Sequence, residues 1–155
     1  MTAPLLVFGW GNTSRGDDAL GPLFVECLCS ALAGRVDVAL LDDYQLMVEH
    51  ALDLAGRERV LFVDASLDAT PPFEARPLRA AADPSLSSHA LSPRALMQVY
   101  RDVHGQEPPA CTLLAIRGER FELGAAPTEA ALANLAAALQ WARGWLALPQ
   151  EATCA

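Results

Sequence analysis

Three acidic side chains and one imidazole stand out in this chain for what they could do together. Asp17 and Asp18 lie in Gly9-Trp10-Gly11-Asn12-Thr13-Ser14-Arg15-Gly16-Asp17-Asp18-Ala19-Leu20-Gly21. Asp64 closes the apolar run Val60-Leu61-Phe62-Val63, and His89 sits in the polar stretch Leu86-Ser87-Ser88-His89-Ala90-Leu91-Ser92-Pro93. Two carboxylates and one imidazole from separate segments form a donor set suited to a metal site. Asp64 is the strongest single candidate. A carboxylate directly after a buried strand is half desolvated, and a cation or a hydrogen-bond cluster must relieve that cost. Each residue also has a plainer reading. Acids in the first turn of a helix face the positive end of its dipole and need no other role. Asp64 could cap the next turn through Ser66 and Asp68, and a lone loop histidine is commonly just solvated.

Other chemistries lack their residues. The glycine-rich segment departs from the dinucleotide fingerprint G-x-G-x-x-G, because Ser14 stands at the third glycine position. A phosphate-binding loop needs a lysine, and the chain contains none. Glu49-His50 lacks the second histidine of H-E-x-x-H, and there is no G-x-S-x-G elbow. Ser14, Ser87 and Ser88 have no evident base, and no cysteine sits where a catalytic thiolate is expected. Cys27 and Cys111 read as reduced, buried small hydrophobes, and His50 and His104 as surface residues on helical patterns.

The elements that must position these groups follow from hydrophobic spacing. Residues 4–8 read as a buried strand, and a helix from Asp17 to about 33 carries Leu20, Leu23, Phe24, Cys27, Leu28 and Ala31 on one stripe. A strand at 36–41, a short helix at 47–55 and a strand at 60–63 follow. Residues 73–78, flanked by prolines, fit an edge strand. A polar loop over 83–92 leads to a helix over 93–103 with proline at its start, then to a strand at 111–116. Thr128 caps a last helix with Leu132, Leu135, Leu139, Ala142 and Leu146 along its apolar stripe. Strands alternating with helices predict a three-layer α/β domain with a mostly parallel sheet, whose ligands gather at the carboxyl ends of the strands. If the first and third strands are parallel neighbours, Asp18 and Asp64 share that edge.

The composition bounds the rest. The 155 residues suit one domain, taken as 1–148 with a frayed tail at 149–155. Half the chain is hydrophobic (52%) and the net charge is −8, which opposes a nucleic-acid partner. With neither a membrane-spanning run nor a signal peptide, the expectation is a cytoplasmic protein.

With Asp18, Asp64 and His89 in hand, the chain resembles the [NiFe] hydrogenase maturation proteases. The resemblance runs from Leu5 to about Leu146 and rests on Gly9-x-Gly11-Asn12 with Gly16-Asp17-Asp18-x-x-Gly21, on Phe62-Val63-Asp64-Ala65, and on Ser88-His89 with Pro93 and Leu96. It implies a five-stranded, mostly parallel twisted sheet between helices, a phosphorylase/hydrolase-like α/β/α fold with the fourth strand antiparallel. It implies an endopeptidase that needs no ATP and removes a short C-terminal extension, beside the last C-x-x-C motif, from the nickel-loaded hydrogenase large-subunit precursor. Asp18, Asp64 and His89 would be both its metal ligands and its catalytic residues. Asp18 is often glutamate in relatives. Nickel would arrive with the precursor, with zinc or cadmium able to substitute in the isolated protein, which is expected to be a monomer. Asp42-Asp43-Tyr44-Gln45-Leu46 looks like the corresponding loop of proteases serving soluble, NAD-linked hydrogenases, with Tyr44 and Gln45 placed to contact the precursor. The alternatives are a non-catalytic nickel-sensing maturation chaperone and, further off, a nucleotide-binding α/β domain.

Overall fold

The computed structural model describes residues 2–82 and 91–149. Its centre is a five-stranded sheet built from β1 (Leu5–Trp10), β2 (Val38–Asp43), β3 (Arg59–Ser66), β4 (Phe73–Leu78) and β5 (Ala110–Arg117), in the order β2-β1-β3-β5-β4. β1 lies parallel to both β2 and β3, and β3 parallel to β5. Only β4 runs antiparallel, at the edge, where Pro77 removes a ladder donor at least harm.

Side-chain alternation splits the core in two. Val7 on β1, with Leu61 and Val63 on β3, packs under α1 (Leu20–Ala31) and α3 (Glu129–Trp145). Leu6, Phe8 and Trp10 point to the other face with Val60 and Phe62. There they meet α2 (Pro93–His104) and a short 3-10 helix, Val48–Leu54. Both faces of the central strands are therefore apolar, which is why they read as continuous hydrophobic runs. The three-layer prediction and the edge position of β4 hold. Among the described residues no helix is long and apolar enough to cross a membrane.

Several local expectations shift. The predicted helix from Asp17 to about 33 is two pieces, a 3-10 turn at Gly16–Ala19 and then α1. The second strand starts later than 36, because Val36 is exposed and the ion pair between Arg35 and Asp37 (2.6 Å) shapes the entry. Leu132 sits on the solvent side of α3 rather than on its buried stripe. Cys111 is buried as expected, whereas Cys27 is only partly covered against the core.

Candidate functional site

Asp18 and Asp64 meet because β1 and β3 are parallel neighbours. The register pairs Gly9 with Val63, so Trp10 and Asp64 lie one step further along at the carboxyl edge. The 3-10 turn carrying Asp18 is folded back over that edge by backbone-to-backbone contact. A Cβ on Gly21 would stand 2.4 Å from the Trp10 carbonyl oxygen and 2.9 Å from that of Val63. Only glycine permits this approach of α1 to the strand ends. Gly11, at φ +150°, leaves no room for a Cβ either, since one would fall 1.9 Å from the Asp18 carbonyl oxygen. The Asn12 N–H then donates to Asp18 Oδ2 at 2.7 Å, and Asn12 Oδ1 accepts the Ser14 N–H at 2.8 Å. The glycine-rich turn is a cradle for a carboxylate.

The two carboxylates open into one cavity of about 280 Å³. Among the described residues, Trp10, Gly11, Tyr44, Gln45, Leu46, Ala65 and Leu91 share its wall, and none of them is an arginine or a histidine. Asp64 responds to this setting. Burial pushes its carboxyl up and the charge of Asp18 pushes it further, against one bond from the Ala65 amide, so that it reaches about 7. The plainer reading of Asp64 as a turn cap is not what the structure holds. Ser66 does that work, its Oγ accepting the N–H groups of Asp68 and Ala69 at 3.1 Å each. A nucleotide site is also poorly served, because the Asn12 amide that a phosphate would seek already holds Asp18.

Asp17 has a different role from its neighbour. It is fully buried, and its carboxylate accepts the N–H groups of Glu119 (2.7 Å), Arg120 (3.0 Å) and Thr128 (2.7 Å), with the Thr128 hydroxyl at 2.8 Å. Burial alone would raise its pKa, yet these bonds outweigh burial and hold it below the usual carboxylate value. Asp17 thus fastens the turn that presents Asp18 to the segment between β5 and α3.

His89 lies outside the described residues. Leu91, two positions later, lines the cavity. Among the described residues no group of three His, Cys, Asp or Glu side chains comes together, so Asp18 and Asp64 stand as a pair. His50 and His104 are not the surface residues their pattern suggested. His104 stacks on Tyr100 at 4.3 Å. His50 is half-buried against Phe8 and bonds Asp43 at 3.1 Å.

No family model matches the sequence, and no curated protein is similar to it in sequence. Solved structures are similar in fold. The [NiFe] hydrogenase maturation protease HycI from Thermococcus kodakarensis superposes with a TM-score of 0.72 at 22% identity, over 94% of this chain and 93% of its own. The hydrogenase maturating endopeptidase HybD from E. coli gives 0.70 at 23%, over 92% and 91%. An endopeptidase from Escherichia coli gives 0.67 at 26%, over 92% and 91%. The chain has the hydrogenase maturation protease fold. In this maturation protease fold the paired carboxylates occupy the carboxyl edge of the sheet, between the glycine cradle and the loop after β2.

Proposed function

We propose that this protein is an endopeptidase that removes the C-terminal extension of a nickel-loaded [NiFe] hydrogenase large-subunit precursor. One observation carries the reading: Asp18 and Asp64 face one cavity, and among the described residues that line it none carries a cationic side chain. Two half-desolvated carboxylates in that position repel each other, and a divalent cation relieves both charges at once. His89 would add the neutral nitrogen that turns a pair into a three-ligand grip. Nickel is cargo of the precursor. The grip of Asp18, Asp64 and His89 would hold it and so fix the scissile peptide nearby, and the chemistry such a metal would supply there is polarisation of the carbonyl or activation of water. Pre-loading by the precursor would supply the metal selectivity that an Asp/Asp/His set lacks. Tyr44 and Gln45, on the wall of the same cavity, would help choose the precursor.

The test is the intact mass of the precursor, nickel-loaded and nickel-free, after incubation with this protein. Loss of a C-terminal peptide from the loaded form alone is expected. Asp18→Asn, Asp64→Asn and His89→Ala should each abolish that loss, by roughly a thousandfold or more if the metal grip drives the chemistry, while the variants remain folded by circular dichroism. Binding of the loaded precursor with no change in its mass would instead make the protein a nickel-sensing chaperone. Normal cleavage by His89→Ala would remove that residue from the mechanism.

A further inference from the structure

The wall formed by the loop after β2 is held by a histidine that does not line the cavity. Tyr44, Gln45 and Leu46 face the cavity with Asp18 and Asp64, and His50 is not among the lining residues. Yet His50 ties together the residues on either side of that segment. Its Nδ1 accepts the Met47 N–H at 2.8 Å. The neutral ring therefore carries its hydrogen on Nε2, which donates to Asp43 Oδ2 at 3.1 Å. The other Asp43 oxygen accepts the Tyr44 N–H at 2.6 Å, and the Asp43 carbonyl accepts the Gly11 N–H at 3.0 Å. The imidazole stands edge-on to Phe8, with ring centres 4.6 Å apart. Its side chain is only 12% exposed, so it cannot swing out without losing that packing.

We propose that the Asp43/His50 pair is a positioning latch that holds Tyr44, Gln45 and Leu46 as a preformed lip against which the precursor's C-terminal segment is read. The identity of that ligand rests on the endopeptidase reading above; the latch itself rests on the bonds just given. The physical reason is preorganisation. A loop ordered before binding loses less freedom when the peptide arrives, so the latch acts on capture rather than on the cleavage step. His50 is thus a positioning residue, acting through the lip.

Three substitutions separate its two arms. His50→Ala removes both. His50→Gln places an amide near the position of Nε2 and keeps the bond to Asp43, whereas His50→Asn places one near Nδ1 and keeps the bond to Met47. The first readout is amide hydrogen exchange at Tyr44 and Met47 in the protein without precursor. The second is the steady-state cleavage of the nickel-loaded large-subunit precursor. His50→Ala should lose protection at both amides and raise KM about tenfold, with kcat within about twofold of the parent. His50→Gln should restore protection at Tyr44, and His50→Asn at Met47, each with part of the KM. Unchanged exchange together with unchanged KM in His50→Ala overturns the latch, as does a fall confined to kcat. If the parent protein leaves the precursor intact, the endopeptidase reading falls by itself, and the exchange pattern upholds or overturns the latch by the same criteria.

Discussion

Asp17 and Asp64 are aspartates of the same chemistry at the same end of one sheet, and their surroundings send them in opposite directions. Asp17 is fully enclosed, but four donors converge on its two oxygens, and it stays ionised below the usual carboxylate range. Asp64 is less enclosed, faces the like charge of Asp18 and rises to about 7. Burial raises both; at Asp17 the converging donors reverse the sign, whereas at Asp64 the charge of Asp18 adds to burial. A carboxylate with its donors supplied serves structure. One left facing a second carboxylate across a cavity stores an attraction for cations, which fits a site awaiting a charged ligand.

Removing the anchor should have the largest effect on stability. Asp17→Ala removes a fully buried carboxylate and leaves the part-buried N–H groups of Glu119, Arg120 and Thr128 without their acceptor, and is expected to destabilise the fold by about 3–5 kcal/mol. Urea unfolding at pH 7 measures it. Asp17→Asn should recover little, because its amide hydrogens would face N–H donors. Asp17 also gives the fold an acid limit. Its folded pKa lies below the unfolded one, so its contribution is present above about pH 4 and is lost as pH falls through the folded value. A loss under about 1 kcal/mol in Asp17→Ala would break the contrast, since the four bonds would then matter no more than surface contacts.

The opposite sign is expected at Asp64. In the folded protein its carboxyl keeps a proton up to about pH 7, whereas the unfolded chain releases it near 4. Between those values the native state binds the extra proton, so its contribution to stability falls as pH rises and the full penalty stands above 7. Asp64→Asn lifts the penalty. The variant should be more stable than the parent by about 2–4 kcal/mol at pH 8 and indistinguishable from it near pH 4, while losing the proposed processing. Unfolding curves at the two pH values decide the matter. Equal stability at pH 8 would mean that the Asp64 charge is already compensated without a cation. Thermal shifts with zinc or cadmium sharpen the point, because a cation must displace that proton. The stabilisation it brings should grow between pH 6 and 8 in the parent and vanish in Asp64→Asn.

Much of this contrast is not legible in a sequence. Asp64 is readable, since a carboxylate ending a buried four-residue run has few places to go, and parallel pairing of β1 with β3 then puts Asp18 beside it. Asp17 cannot be told from Asp18 by pattern, because its donors lie 102 to 111 positions downstream and are mostly backbone amides, which every residue type but proline supplies. The ends of elements slip for a related reason. The turn at Gly16–Ala19 interrupts a continuous helical stripe because the Asp17 N–H donates to Arg120 O and that of Gly16 to Ala125 O, in a distant segment. His50 departs from the surface position its pattern suggests because its partners, Asp43 at the end of β2 and Met47 in the segment after it, are brought to it by a chain reversal that helical spacing does not encode. The single sequence hint is the spacing of Asp43, Met47 and His50 across one short turn.

The smallest effect on stability, with a selective effect on function, is expected at the rim. Tyr44 is 64% exposed and lines the cavity with Asp18 and Asp64. An exposed side chain with little packing to lose should tolerate truncation within about 0.5 kcal/mol, so Tyr44→Ala is expected to unfold like the parent. Under the proposed function it removes a large contact surface from the lip, and aromatic rings are the side chains whose truncation weakens interfaces most. Exchanging Tyr44-Gln45-Leu46 for the corresponding loop of HycI or HybD should therefore shift which large-subunit precursor is cleaved, in a competition between two precursors read by mass. The anchor, the carboxylate pair and the rim would then separate cleanly into stability, chemistry and choice. Unaltered preference after the exchange would move the choice of precursor away from this lip and onto another face of the molecule.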